Sequence, residues 1–311
     1  MEQTNNAPKY AFYYMISLVA LIFMSLSTGM IVFQIINKKI VDAIDLYRGM
    51  YQPGVLKFGI SALIISAPIY YLAMRQISRS LFSGALGKDS LIRKWLSYFV
   101  LFVSSVVMIV WLILTINNFL NGELSLKFFL KALTALSIAA SVFSFYFYDS
   151  KREDVLNKKD KIVAIYAYAS LTLVVIVFAG SLFAVESPAE TRRRNTDNAV
   201  LDDFNTLDSV LNNYYMDKGH LPSALSDLHE DYPYITEQEW HHPSTGTEYR
   251  YRIVEDKKYE LCANFLSANT ENKNQNSYYN ERWPHAAGEQ CLTQKIIIPK
   301  VDAISQPNVL K

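Results

Sequence analysis

The chain has 311 residues, 51% of them apolar and 19% charged, with two cysteines and a net charge of +1. That total conceals two opposed parts: residues 1–185 carry 17 Lys and Arg against 9 Asp and Glu, and residues 186–311 carry 13 against 20. An acidic second part offers no phosphate-binding face, which argues against nucleic acid as a partner.

After a short polar leader, Tyr10 to about Ile36 is the first apolar run. It is too long for the h-region of a signal peptide, and no A-x-A site ends it, so it reads as a membrane crossing. Further runs follow at Val55–Met74, Trp95–Asn117, Phe128–Tyr148 and Ile162–Ala184, predicting five crossings. Between the first two, Asn37–Gly54 has apolar residues at helical spacing with Lys38, Lys39, Asp42 and Asp45 facing elsewhere, the pattern of an interfacial helix or of a solvated extension of the first crossing.

Lys and Arg in the short loops set the orientation. The leader, loop 75–94 and loop 151–161 hold 11 basic residues, and the opposite side holds 8, with Arg192, Arg193 and Arg194 among them. The bias places the N-terminus inside and residues 186–311 outside. Aromatic residues support it: Tyr10, Tyr13, Tyr14, Tyr70, Tyr71, Trp95, Tyr98, Tyr146, Tyr148, Tyr166 and Tyr168 fall at the predicted inner ends, as an interfacial belt would. Trp95 and Tyr98, with Arg192, Arg193 and Arg194, are the candidate membrane-interface residues. No run has a charge near its middle, so a proton or ion path through the bilayer lacks its usual groups.

The segments FGISALIISAPIYYLAMRQISR (58–79), IRKWLSYFVLFV (92–103) and NNFLNGELSLKFFLKAL (117–133) resemble a family of uncharacterised bacterial four-helix membrane domains. The resemblance covers about Ala11 to Asp149 and implies a fold, with no activity, substrate or catalytic residue attached.

Beyond the fifth crossing, Pro188 interrupts the helix and a new amphipathic helix starts at Asn195. It carries Val200, Phe204, Leu207, Leu211 and Tyr214 or Tyr215 on one stripe, with Asp202, Asp203, Asp208 and Asn212 off it. Gly219 is its C-cap. A turn and short helical segment at 221–228, a loop at His242–Gly246, and strands at Glu248–Ile253, Tyr259–Phe265 and Leu292–Pro299 follow. Ser267–Glu281, rich in Asn, reads as an exposed loop.

Gly219, Leu221, Pro222, Pro243, Thr245, Gly246, Tyr249, Tyr251 and Tyr259–Ala263, in that order, resemble the soluble domain of type II secretion pseudopilins. The resemblance implies one long helix packed on an antiparallel sheet. The chain departs from that family at Lys161–Leu171, which lacks the cleavable leader and the G-F-x-x-x-E start through which those subunits stack. His242 also stands where many relatives have a calcium-binding Asp.

Both cysteines, Cys262 and Cys291, lie in this last part, and outside the cytoplasm they are expected to form a disulfide. All five histidines, at 220, 229, 241, 242 and 285, lie there too, but without C-x-x-C or H-x-x-x-H spacing for a metal. No G-x-S-x-G, H-E-x-x-H, Walker loop or G-x-G-x-x-G occurs. The expected organisation is a four-helix membrane domain (1–150), a cytoplasmic loop (151–161), a fifth transmembrane helix (162–185) and a soluble α+β domain (186–311). The expected function is that of a non-enzymatic, multi-pass inner-membrane protein without cofactor. It would anchor in the lipid bilayer, present an extracytoplasmic domain to an envelope partner and form homo-oligomers. The rival reading is a transporter or sensor subunit whose outer domain binds a ligand.

Overall fold

The computed structural model describes residues 7–40, 50–84, 91–152, 160–233, 235–270 and 281–297. It divides into two compact units, Met1–Val185 and Glu186–Lys311.

The first unit is all helix: α1 (Ala7–Lys39), α2 (Pro53–Phe82), α3 (Leu91–Leu120), α4 (Leu126–Lys151) and α5 (Lys161–Ala184). All five are long and apolar enough to cross a membrane. They extend past the apolar runs at most ends, because hydropathy marks only the part suited to hydrocarbon while the helical hydrogen bonds continue to the caps. Arg75 and Arg79, placed in a loop by the sequence reading, belong to α2, and Arg93 and Lys94 belong to α3. Most of the interfacial helix proposed for 37–54 lies outside the described residues.

Local chemistry sets the helix ends. Gly122 takes a left-handed φ of 72° in the α3–α4 turn, and the Ser125 hydroxyl accepts the Phe128 N–H at 3.2 Å to start α4. The Asp160 carboxylate accepts the Ile162 N–H at 2.8 Å to start α5. α1 packs against each of the other four helices. It passes close to α2 at Gly59, where a Cβ would stand 3.1 Å from Ile31 Cγ1. Ile31, Leu56 and Leu63 are sealed in this seam.

The second unit opens with α6 (Pro188–Lys218), with three residues between it and the end of α5. The helix begins seven residues before the predicted Asn195, because the Ser187 hydroxyl caps it through the Glu190 N–H (3.2 Å) and Pro188 fits its first turn. Gly219 ends it with φ 77° and an N–H donated to Tyr215 O at 2.9 Å, as expected. A short helix α7 (Leu228–Asp231) leads to β1 (Arg250–Glu255), β2 (Lys258–Phe265) and β3 (Gly288–Lys295), an antiparallel sheet in the order β1-β2-β3. β3 lies four residues earlier than predicted. The apolar run after Leu292 drew the expectation, yet pairing of Phe265 with Gly288 and of Lys258 with Lys295 fixes the register, and Ile297 is exposed.

The α6 stripe packs on this sheet as the periodicity implied. Phe204 sits at its centre, edge-on to Tyr249, Phe265 and Trp283. Leu207 and Leu211 are fully buried beside it. One expectation fails: Asp208, placed on the wet face by the sequence, is only 5% exposed. It accepts the Tyr259 hydroxyl and pairs with Arg282. Asp208 borders the stripe next to Leu207, and its partners arrive from β2 and from a segment 74 residues on, which periodicity cannot register.

Candidate functional site

Two places concentrate polar chemistry, one in each unit. In the first unit, the start of α3, the end of α4 and the start of α5 meet around Arg93, which is 5% exposed. Its guanidinium donates to the Asp149 backbone carbonyl at 2.8 Å and to the Asp149 carboxylate at 3.1 Å. Arg152 lies 3.5 Å from the other Asp149 oxygen and 3.7 Å from Asp160, and Tyr148 donates to Asp160 at 2.9 Å. Two arginines facing two aspartates make a charge-balanced knot. It ties three helices together and holds each acid against a cation, so it offers no unpaired acid for proton transfer. Arg93 and Arg152 read in the sequence only as loop charges.

The aromatic belt is correspondingly thinner than expected. Tyr10, Tyr70 and Tyr146 are buried, and Tyr71 donates to Ser170 at 3.0 Å. Trp95 and Tyr98 do face outward, 65% and 63% exposed, with Trp95 stacked on Phe99. At the other end of this unit, Lys38 Nζ and Tyr51 Oη both donate to Ala184 O, the last carbonyl of α5, at 2.9 and 3.2 Å. A cation there suits the negative end of the helix dipole.

In the second unit, Arg192 and Arg193 are exposed near the start of α6, while Arg194 folds back onto Glu186 at 2.5 Å. Cys262 and Cys291 stand opposite each other in the β2–β3 register, with their sulfurs at bonding distance, 2.09 Å. Glu260, Cys262 and Asn264 alternate with the core residues Tyr259, Leu261, Ala263 and Phe265, so the cysteine pair lies on the sheet face turned away from α6. Among the described residues, the one group of His, Cys, Asp and Glu side chains close enough to share a metal is Glu260, Cys262 and Cys291, and no histidine joins it.

The histidines do separate structural work. His242 accepts the Ser244 N–H on Nδ1 at 3.2 Å, which leaves the proton on Nε2 to donate to Asn264 O at 3.1 Å and ties its loop to β2. His285 is buried against the Phe265 ring, 3.9 Å between centroids, with neither nitrogen hydrogen-bonded. Burial holds its pKa below the usual 6.5, against the pull of the Asp197 charge. Asp197 itself accepts the N–H groups of Leu266 and Ser267 at 2.7 and 2.8 Å, which anchors the end of β2 to α6. Asp203 accepts the Tyr249 hydroxyl at 2.6 Å, and burial, followed by the charges of Glu239 and Asp202, pushes its pKa up to about 6. Asn269 accepts the His285 N–H and donates to Trp283 O, each at 2.9 Å, and Trp283 donates to Asn205 at 2.8 Å. These contacts join the segments on either side of residues 271–280, so most of the Asn-rich stretch expected to be an exposed loop lies outside the described residues. Trp283 and Arg282, the partners of α6 here, carried no sequence signal that could have found them.

Residues 11–146 match the family model described as Domain of unknown function (DUF5671). The DUF5671 match begins inside α1 and ends inside α4, so it holds Arg93 but stops short of Asp149, α5 and the second unit. It agrees with the resemblance to an uncharacterised domain family and adds no chemistry to it. No curated protein and no solved structure matches the chain. The pseudopilin likeness therefore rests on the residues quoted above alone.

Proposed function

We propose that the chain is a multi-pass inner-membrane protein whose five apolar helices anchor a pseudopilin-like, extracytoplasmic module that engages a protein partner of the cell envelope without catalysis. The observation that carries this reading is the abrupt change at residue 185. Five membrane-length apolar helices end there, and a compact unit whose first helix is polar outside one stripe begins. The outside location draws on the Lys and Arg bias of the loops and on the cysteine pair at bonding distance, which an oxidising compartment permits. The module character draws on the helix-then-meander order, shared in outline with pseudopilin domains. The interaction role draws on the polar side chains that hold α6, the sheet and the loops together, such as Asp197, Asp208 and Asn269.

Reporter fusions at Lys88, Lys158 and the C-terminus test the topology. Phosphatase activity is expected only at the C-terminus, and fluorescence of a cytoplasmic reporter only at the first two sites. A cytoplasmic signal from the C-terminal fusion would remove the envelope reading.

A further inference from the structure

The sheet of the second unit turns one face toward α6 and leaves the other largely open to solvent. On the open face Arg250, Cys262 and Cys291 stand in one row across β1, β2 and β3. The two sulfurs differ in access: Cys262 is 7% exposed, whereas Cys291 is open to solvent. Arg250 accounts for the difference. Its guanidinium pairs with Glu289, two residues before Cys291 on β3, so its arm spans about 10 Å at the usual strand spacing and crosses β2 beside Cys262.

Charge on the other side of the bridge does not close this approach. Glu260 brings its carboxylate within 4.8 Å of both sulfurs, but it accepts from Arg252 at 2.6 Å and from Thr293 at 3.3 Å. The Arg252 cation thereby offsets the repulsion that Glu260 exerts on an arriving thiolate. Disulfides shut off from solvent resist exchange, and exposed ones are the labile class, because attack needs a line of access to one sulfur.

We infer that the Cys262–Cys291 bond is an exchange site for a dithiol oxidoreductase, entered through Cys291. A thiolate of the oxidoreductase attacks Cys291 Sγ and forms a mixed disulfide there; the bond to Cys262 breaks, and its electron pair leaves on Cys262 Sγ as a thiolate that takes up a proton. The Arg250 cation beside Cys262 favours that leaving group. The second thiolate of the oxidoreductase then displaces Cys291, so two electrons pass to the chain, which ends with two thiols, and the oxidoreductase departs as a disulfide. Neither sulfur belongs to the core around Phe204, so the unit keeps that core in both states. The inference rests on the bond and not on the side of the membrane that carries the unit.

Trapping on the full-length protein in permeabilised native membranes tests it. The probe is a thioredoxin-fold oxidoreductase that keeps its nucleophilic cysteine and has serine in place of the resolving one, added in excess, quenched with acid and alkylated before digestion. Mass spectrometry should find the probe joined to the Cys291 fragment about tenfold more often than to the Cys262 fragment. Arg250→Ala, which removes both the arm beside Cys262 and the cation, should bring the two sites to about equal. A probe that links only after urea unfolding, or that joins both fragments equally in the parent protein, would overturn the inference. Two freely alkylated thiols before the probe is added would overturn the bond itself and the argument for an oxidising compartment, whereas a bonded pair that ignores the probe overturns this inference alone.

Discussion

Asp208 shows how a single side chain can reverse its expected role. Beside Leu207 it reads as the wet edge of an amphipathic helix, yet it is the buried acceptor that joins α6 to Tyr259 of β2 and to Arg282. Asp208→Ala would leave a partly buried cation and a buried hydroxyl without their acceptor, and is expected to cost about 2–4 kcal/mol in urea unfolding of the second unit. Asp203 and His285 give opposite pH signatures in the same unit. For Asp203 the folded pKa is raised, to about 6 from 3.8, so its contribution is fully present below pH 3.8 and is lost as pH rises through 6. Asp203→Asn, which keeps an acceptor for Tyr249, should therefore raise the melting temperature at pH 7.5 and leave it unchanged near pH 4. For His285 the folded pKa is lowered, so its contribution is complete above 6.5 and is lost as pH falls through the folded value. His285→Leu should flatten the acid side of the melting profile below pH 6.5.

At the scale of elements, the sheet depends on a staple on its outer face. Cys262 and Cys291 lie directly opposite across β2 and β3, at a sequence separation of 29. Closing that loop covalently is worth about 3–4 kcal/mol on the chain-entropy estimate. Cys262→Ala with Cys291→Ala should lower stability by that order while leaving the α6 packing intact, because neither sulfur faces the helix. Non-reducing mass spectrometry should find the two tryptic fragments linked; two freely alkylated thiols would remove both the bond and the argument for an oxidising compartment. The polar knot of Arg93, Asp149, Arg152 and Asp160 serves the first unit in a comparable way, since it fixes three helix ends that hydropathy alone leaves free to slide.

On the whole-molecule scale, the boundary at residues 185 and 186 separates two cores that share no residue. The second unit has its own buried centre in Phe204, Leu207, Leu211, Tyr259 and Trp283 and is of ordinary domain size, so a fragment of residues 186–311 is expected to fold without the membrane helices. It must keep Ser187, because a start at Thr196 removes the cap and the first two turns of α6. The fragment should melt cooperatively under oxidising conditions. Leu207→Asp, which buries an unpaired charge, should abolish that transition, and a fragment without one would refute the autonomy of the unit.

The sequence by itself determined the five apolar helices, the amphipathic face of α6, its Gly219 stop and the first two strands. Each of these is written in local periodicity or in a single residue with restricted backbone geometry, and neither needs a distant partner to be read. Only the tertiary structure decided the register of β3, the burial of Asp208 and Asp197, the place of Trp283 in the core, and the meeting of Arg93 with Asp149. Each of those depends on a partner tens of residues away whose type is polar or whose run is short. A charge reads as solvent-facing until the fold brings its counter-charge, and a strand with one buried apolar residue is placed by the apolar run at its end until pairing with a neighbour fixes its register.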